Sequence, residues 1–135
     1  EYEELGQRQF SSWEELKEQL QLEVKAPYYI PDGIKADNIN YLNVGNHDFQ
    51  LSRSYRGDDK YILLSISSFS DEGKFSIFAD ETENILFEKT IGGFYVSAYK
   101  KQDDILAFFQ DEQFMYSIET NIGEKELEQF ILEIK

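Results

Sequence analysis

The 135-residue sequence has no cysteine, two prolines, one histidine and one tryptophan, and only 13 basic residues against 27 acidic ones. Each scarcity excludes something. Without cysteine there is no disulfide framework and no thiolate metal site. A single histidine, His47, cannot build a multi-histidine metal centre. A Ser-His-Asp triad would have to run through it, with Asp48 too close in sequence to orient it well. No serine stands in a G-x-S-x-G elbow. The shortage of cations leaves a net charge of -14, which repels phosphate backbones and anionic membrane surfaces. No apolar run approaches the roughly 18 residues of a membrane-spanning helix.

What is present points to a folded domain. Apolar residues make up 41% of the chain and aromatics 16%, too much for a disordered acidic tail. A chain of this length buries roughly 68% of its unfolded surface and forms one domain without a staple. Most of the acidic surplus falls in turns and on polar helix faces, where it acts as a solvated shell.

Glu1 to Gln9 is polar and is expected to fray. Residues 1–11 therefore read as an N-terminal extension, and residues 12–135 as a single domain. Ser12-Trp13-Glu14-Glu15 has the form of a capping box: Ser12 accepts from the Glu15 amide, and Glu15 reaches back to the Ser12 amide. Behind it Trp13, Leu16 and Leu20 recur at helical spacing and predict a short amphipathic helix from about Ser12 to Leu22. Pro27 and Pro31 stop any helix, and Pro31-Asp32-Gly33 is a turn signal. Period-two alternation then predicts strands over 39–44, 49–55, 61–69, 75–79, 85–90, 94–100, 105–110 and 114–120. Turns such as Gly45-Asn46-His47-Asp48, Ser70-Asp71-Glu72-Gly73 and Gly92-Gly93 separate them. A second helix follows, with Gly123 as N-cap, Ile122 placed to staple onto Leu127, and Leu127, Phe130, Ile131 and Ile134 as its apolar stripe. The fold class is α+β: a curved antiparallel meander of about seven or eight strands, with an N-terminal and a C-terminal helix packed on it.

Pro27-Tyr28-Tyr29-Ile30-Pro31-Asp32-Gly33 resembles the Pro-x-x-Leu-Pro-x-Gly motif of an uncharacterised bacterial extracytoplasmic domain. That domain is found on membrane-anchored Firmicutes proteins, often beside anti-sigma-factor-like segments. The C-terminal stretch Phe114-Met115-Tyr116-Ser117-Ile118, followed by Asn121 to Leu127, is similar to the same family's ending. The chain departs from the family pattern at Phe108 and Phe109, where a tryptophan is usual, and at Asp111-Glu112-Gln113, where the turn usually holds a glycine. The fold type is similar to the half-barrels of LolA and RseB/MucB, which implies a concave apolar face. The resemblance supplies no catalytic residue. It implies an extracytoplasmic location in the cell envelope, on a membrane-anchored or secreted protein. The chain opens at Glu1, so any membrane attachment is expected through a segment upstream of it.

The chemistry-bearing residues have plain readings. The acidic pairs Asp58-Asp59, Asp71-Glu72, Asp103-Asp104 and Asp111-Glu112 all fall in predicted turns, where carboxylates form turns and keep the surface soluble. With no D-x-D-x-D-G loop, no dedicated calcium site is expected, and no other metal or cofactor. The aromatics carry two readings. One is ordinary sheet packing. The other is a ligand-binding face formed by Tyr28, Tyr29, Tyr95 and Tyr99, because tyrosine offers apolar area with a polar tip. Phe94, Val96 and Ala98 occupy the core face of their strand, which leaves Tyr95 and Tyr99 partly exposed. The function expected is therefore a non-enzymatic extracytoplasmic binding or sensory domain, whose partner is another envelope protein, a peptide or a lipid, and not a nucleic acid. Two alternatives are a LolA-like carrier holding an acyl chain under the sheet, and an acidic hydrolase with two converging carboxylates.

Overall fold

In the computed structural model, which describes residues 7–45, 48–68 and 85–135, the alternating segments become strands of one open, curved antiparallel sheet. They are β1 Gln7–Phe10, β2 Lys35–Gly45, β3 Asp48–Arg56, β4 Tyr61–Ser68, β5 Ile85–Ile91, β6 Phe94–Lys101, β7 Asp104–Gln110 and β8 Phe114–Thr120. The helices are α1 Trp13–Leu20 and α2 Glu124–Leu132. The expected strand at 75–79, the turn at Ser70 to Gly73 with its Asp71-Glu72 pair, and His47 in its turn lie outside the described residues.

Alternation sorts each strand into two faces. Leu51 and Tyr55 of β3, Ile62, Leu64 and Ile66 of β4, Tyr116 and Ile118 of β8, Phe109 of β7 and Val96 of β6 point inward and are buried. The helices close this inner face with Trp13 and Leu16 from α1 and Leu127, Phe130 and Ile131 from α2. Phe130 meets Tyr55 edge-on, ring centres 5.3 Å apart at 83°, a favourable aromatic geometry. The concave side is thus filled by side chains.

The strand order is β1-β2-β3-β4-β8-β7-β6-β5, so the sheet is not one continuous meander. Two meanders of four strands meet where β4 pairs with β8, Leu64 opposite Ile118. The physical reason lies in the strands themselves. β4 carries a fully apolar inner row and belongs in the centre. β5 exposes Glu88, Lys89 and Thr90, the charged and polar surface that protects a sheet edge from unwanted pairing.

β1 is a second departure. Gln7 to Gln9 do not fray but pair with β2, Gln9 opposite Asn40 and Phe10 opposite Ile39. Three of these four residues are exposed and only Phe10 is buried, so the strand is held by Phe10 and by its ladder rather than by an apolar pattern. The capping box is also half changed. Ser12 caps α1 and accepts from the Glu15 amide at 3.1 Å. The Glu15 carboxylate instead accepts from the amide and hydroxyl of Ser11, at 2.9 and 3.0 Å. The hydrogen bond donated by the Ser11 amide is the main reason the Glu15 pKa is lowered. α1 ends earlier than expected because Gln21 turns left-handed, φ 55°, and donates back to Lys17 O. Gly123 caps α2 as expected.

Two turns cross near the start of β2. Ile34 N donates to Pro31 O in the Pro31-Asp32-Gly33 turn. Gly57, in the β3–β4 turn, lies so close that a Cβ there would stand 2.5 Å from Gly33 O. Only glycine fits this crossing.

Candidate functional site

The four tyrosines singled out in the sequence do not share one surface. Tyr28 is exposed on the helix side, where its amide donates to Glu133 O and its hydroxyl lies 3.4 Å from the Lys17 ammonium. Tyr29 is half-buried against the core. Tyr95 stands on the outer face of β6 and is 60% exposed. Tyr99 shares that outer face, but it is buried rather than partly exposed, at 8%. The cause is its neighbours: Ile85 and Leu106 lie opposite it on the flanking strands, and the Phe108 ring packs 5.9 Å away. These make an apolar patch on the outside of the sheet, separate from the main core.

The described acidic pairs behave as turn chemistry. Asp58 and Asp59 are exposed in the β3–β4 turn, and Asp104 stands on β7 rather than in the turn. Tyr61 donates to Glu119 at 3.1 Å with Asp104 beside it. Burial, then these two carboxylates, raise the Tyr61 hydroxyl well above its usual range. None of these residues lines either groove described below. Among the described residues no group of three or more His, Cys, Asp or Glu is placed to hold a metal ion.

Asp111 has the densest set of partners. One carboxylate oxygen accepts from the amides of Gln113 and Phe114, both at 2.8 Å, and so closes the β7–β8 turn without a glycine. The other accepts from the Tyr116 hydroxyl at 2.9 Å and the Lys25 ammonium at 3.2 Å. The Tyr116 hydroxyl in turn accepts from the Lys25 amide. This network ties the segment before Pro27 to the end of β8. Burial pushes the Asp111 carboxyl up, but the two amides, the tyrosine and the lysine overcome it and hold it below the ordinary value. A carboxyl lowered on folding stabilises the fold above its unfolded pKa of about 3.9 and loses that contribution as pH falls through the folded value. Asp111→Asn is therefore expected to cost about 1.5–3 kcal/mol at neutral pH. Its deficit should shrink toward zero as the pH is lowered past 4. Urea unfolding of both proteins across pH 7 to 3 checks this; a pH-independent difference would assign the loss to packing.

The described residues form a smaller and a larger groove that could admit a ligand. The smaller, about 380 Å³, lies between α2 and β5, lined by Lys89, Thr90, Lys125, Glu128 and Leu132 among others. The Lys89 ammonium pairs with the Glu128 carboxylate across it. The larger, about 600 Å³, crosses the outer face of β1 to β4. Its side chains are Gln7, Gln9, Asn40, Leu42, Gln50, Ser52 and Ser65. Register brings them together: Gln9 faces Asn40, Asn40 faces Ser52, and Ser52 faces Ser65. The Gln9 amide donates to the Asn40 carbonyl at 2.9 Å. Arg8, Tyr41 and Leu51 also border the groove, but their side chains belong to the inner-face register, so they reach it through the main chain. The Arg8 guanidinium instead donates to Gln19 of α1 and lies over the Phe10 ring.

The larger groove lies on the outer face and the smaller one at the β5 edge, while the inner face between them is occupied by the buried side chains of Leu16, Tyr55, Phe109, Tyr116 and Phe130. Sequence reasoning missed the larger groove because its residues are separated by whole strands. The available signal was that the polar side of two successive strands, Gln50-x-Ser52-x-Ser54 and Ser65-x-Ser67, is uncharged in a chain that is 30% charged.

Residues 24–134 match the family model described as a domain of unknown function, DUF4367. The chain belongs to this family. No curated protein and no solved structure matches it. The matched part of this DUF4367 domain starts at Val24, so β1 and α1 lie before it. The Gln7 and Gln9 wall of the larger groove is therefore built by a segment outside the family match.

Proposed function

We propose that this DUF4367 domain is a non-enzymatic binding or sensory module that works outside the cytoplasm, on a membrane-anchored or secreted bacterial protein. It binds its ligand in the outer groove of β1 to β4. The observation that carries the binding role is the groove itself: about 600 Å³ lined by four carboxamides and two serines on neighbouring strands. That size falls within the range of small-ligand sites. The extracytoplasmic setting is supported by the resemblance of Pro27 to Gly33 and of the C-terminal stretch to envelope domains of Firmicutes. The filled inner face argues for the groove over an enclosed acyl chain.

This domain has no cysteine of its own, so an introduced one reports on its position. A single cysteine is placed at Gln50→Cys in the groove, or at Glu112→Cys on the exposed β7–β8 turn, in the full gene product. Intact cells are treated with a membrane-impermeant maleimide. Both sites should label without lysis, and the groove site should label several-fold more slowly, relative to the turn site, than in the purified domain. Labelling only after lysis would overturn the location. An unchanged ratio of rates would overturn occupancy of the groove.

A further inference from the structure

We infer that the outer groove takes a neutral polyhydroxylated ligand, a short oligosaccharide, in preference to an ionised or an apolar one. This rests on reading the groove as the binding site and adds the chemical class of its occupant.

The argument begins with what each lining group can exchange. A carboxamide donates through its nitrogen and accepts through its oxygen, and a serine hydroxyl does both. The groove presents carboxamides from Gln7, Gln9, Asn40 and Gln50 and hydroxyls from Ser52 and Ser65. A sugar hydroxyl is also donor and acceptor at once, so each can be matched without leaving a polar group unpaired. Other ligand classes fit worse. A carboxylate or phosphate needs a cation, and among the described residues the one cation bordering the groove, Arg8, turns its guanidinium to the other face of the sheet. The net charge of -14 adds long-range repulsion against polyanions. A cationic ligand needs carboxylates, yet among the described lining residues none is acidic, although the chain holds 27 acidic side chains. Among the described lining residues, Leu42 is the one apolar side chain on the outer-face register.

The register supplies direction. Gln9, Asn40, Ser52 and Ser65 stand opposite one another on four successive strands. With strands about 4.8 Å apart, that row spans about 14 Å across the sheet. Gln7, Leu42 and Gln50 form a second row beside it. Two parallel rows of neutral hydrogen-bonding groups, interrupted by one leucine, offer an elongated ligand several contacts of similar kind and one apolar surface for a ring face.

The test is amide chemical-shift mapping on the isotope-labelled chain with three separate probes: chitotetraose, maltotetraose, and an uncharged glycine-serine-asparagine hexapeptide with blocked ends. At least one tetrasaccharide should give saturable shifts at the side-chain amides of Gln9, Asn40 and Gln50 at millimolar concentration. Asn40→Ala and Gln50→Ala should each weaken that binding roughly fivefold, as expected for one lost hydrogen bond. The remaining spectrum reports that each variant is folded. If the hexapeptide shifts these amides and neither sugar does, the ligand class is overturned while the groove remains the site. If none of the three shifts them, or the shifts fall elsewhere, both the class and the site are overturned.

Discussion

Removal of residues 1–22 is expected to abolish cooperative unfolding of the remaining chain, even though the whole family-matched part, residues 24–134, is kept intact. The reason is burial. Phe10, Trp13 and Leu16 are at most 4% exposed and belong to the same core as the sheet and α2. Burying each stabilises by roughly 1.5–3 kcal/mol, so their joint loss is about 5–9 kcal/mol, against a total stability of about 5–15 kcal/mol for an ordinary domain. The apolar face they cover, including Ile39 and Leu51, would then meet water. Arg53 marks the seat of α1. Its guanidinium donates to Ser11 O at 3.0 Å and Asp37 O at 2.7 Å, and lies over both Trp13 and Tyr55. The Trp13 indole N–H and the Tyr55 hydroxyl make no hydrogen bond of regular geometry in this seat. Burial raises the Tyr55 pKa, against the Arg53 charge and the nearby indole. Apolar area and Arg53 therefore do most of the holding. Urea titration followed by circular dichroism, with dye binding to exposed apolar surface, should show a broad transition and strong dye uptake. A sharp transition near the parent midpoint would show that the core closes without α1.

Phe130→Ala is expected to destabilise by about 3–5 kcal/mol, the range for truncating a fully buried aromatic. Phe130 is fully buried, sits mid-stripe on α2 and makes the edge-on contact with Tyr55. Neighbouring Leu132 gives the internal control. It is on the same helix but 46% exposed, so Leu132→Ala should change stability by less than about 0.5 kcal/mol. Paired urea midpoints with an unchanged slope test both. Similar losses for the two would mean that α2 is held by its surface rather than by the core.

Local features were readable from sequence because their causes are local. Alternation placed the edges of β3, β6, β7 and β8 within a residue or two, and Ser12 and Gly123 announced the helix starts. Asp111 was correctly read as a turn former. What could not be read depends on which strands become neighbours. Nothing in β4 or β8 alone states that they pair, since turn residues encode hairpins and not the joining of two hairpin sets. β1 was missed because three of its four side chains face solvent and give no periodic signal. Tyr99 was placed on the correct face, yet its burial depends on Ile85, Leu106 and Phe108 arriving from other strands. The groove was invisible for the same reason: a glutamine at position 9 and a serine at 65 become one surface only through three successive registers.

The single ladder between β4 and β8 also constrains the time course of folding. Each four-strand half can zip through its own hairpins, a microsecond-scale event per hairpin. Uniting them requires residues 61–68 to find residues 114–120, which closes a long stretch of chain before any contact across it repays the entropy. Sheets dominated by such distant pairings fold in milliseconds to seconds. During that interval both halves carry unsatisfied edges along β4 and β8, each with an apolar inner face. The chain's net charge of -14 opposes association of half-assembled copies while the seam closes.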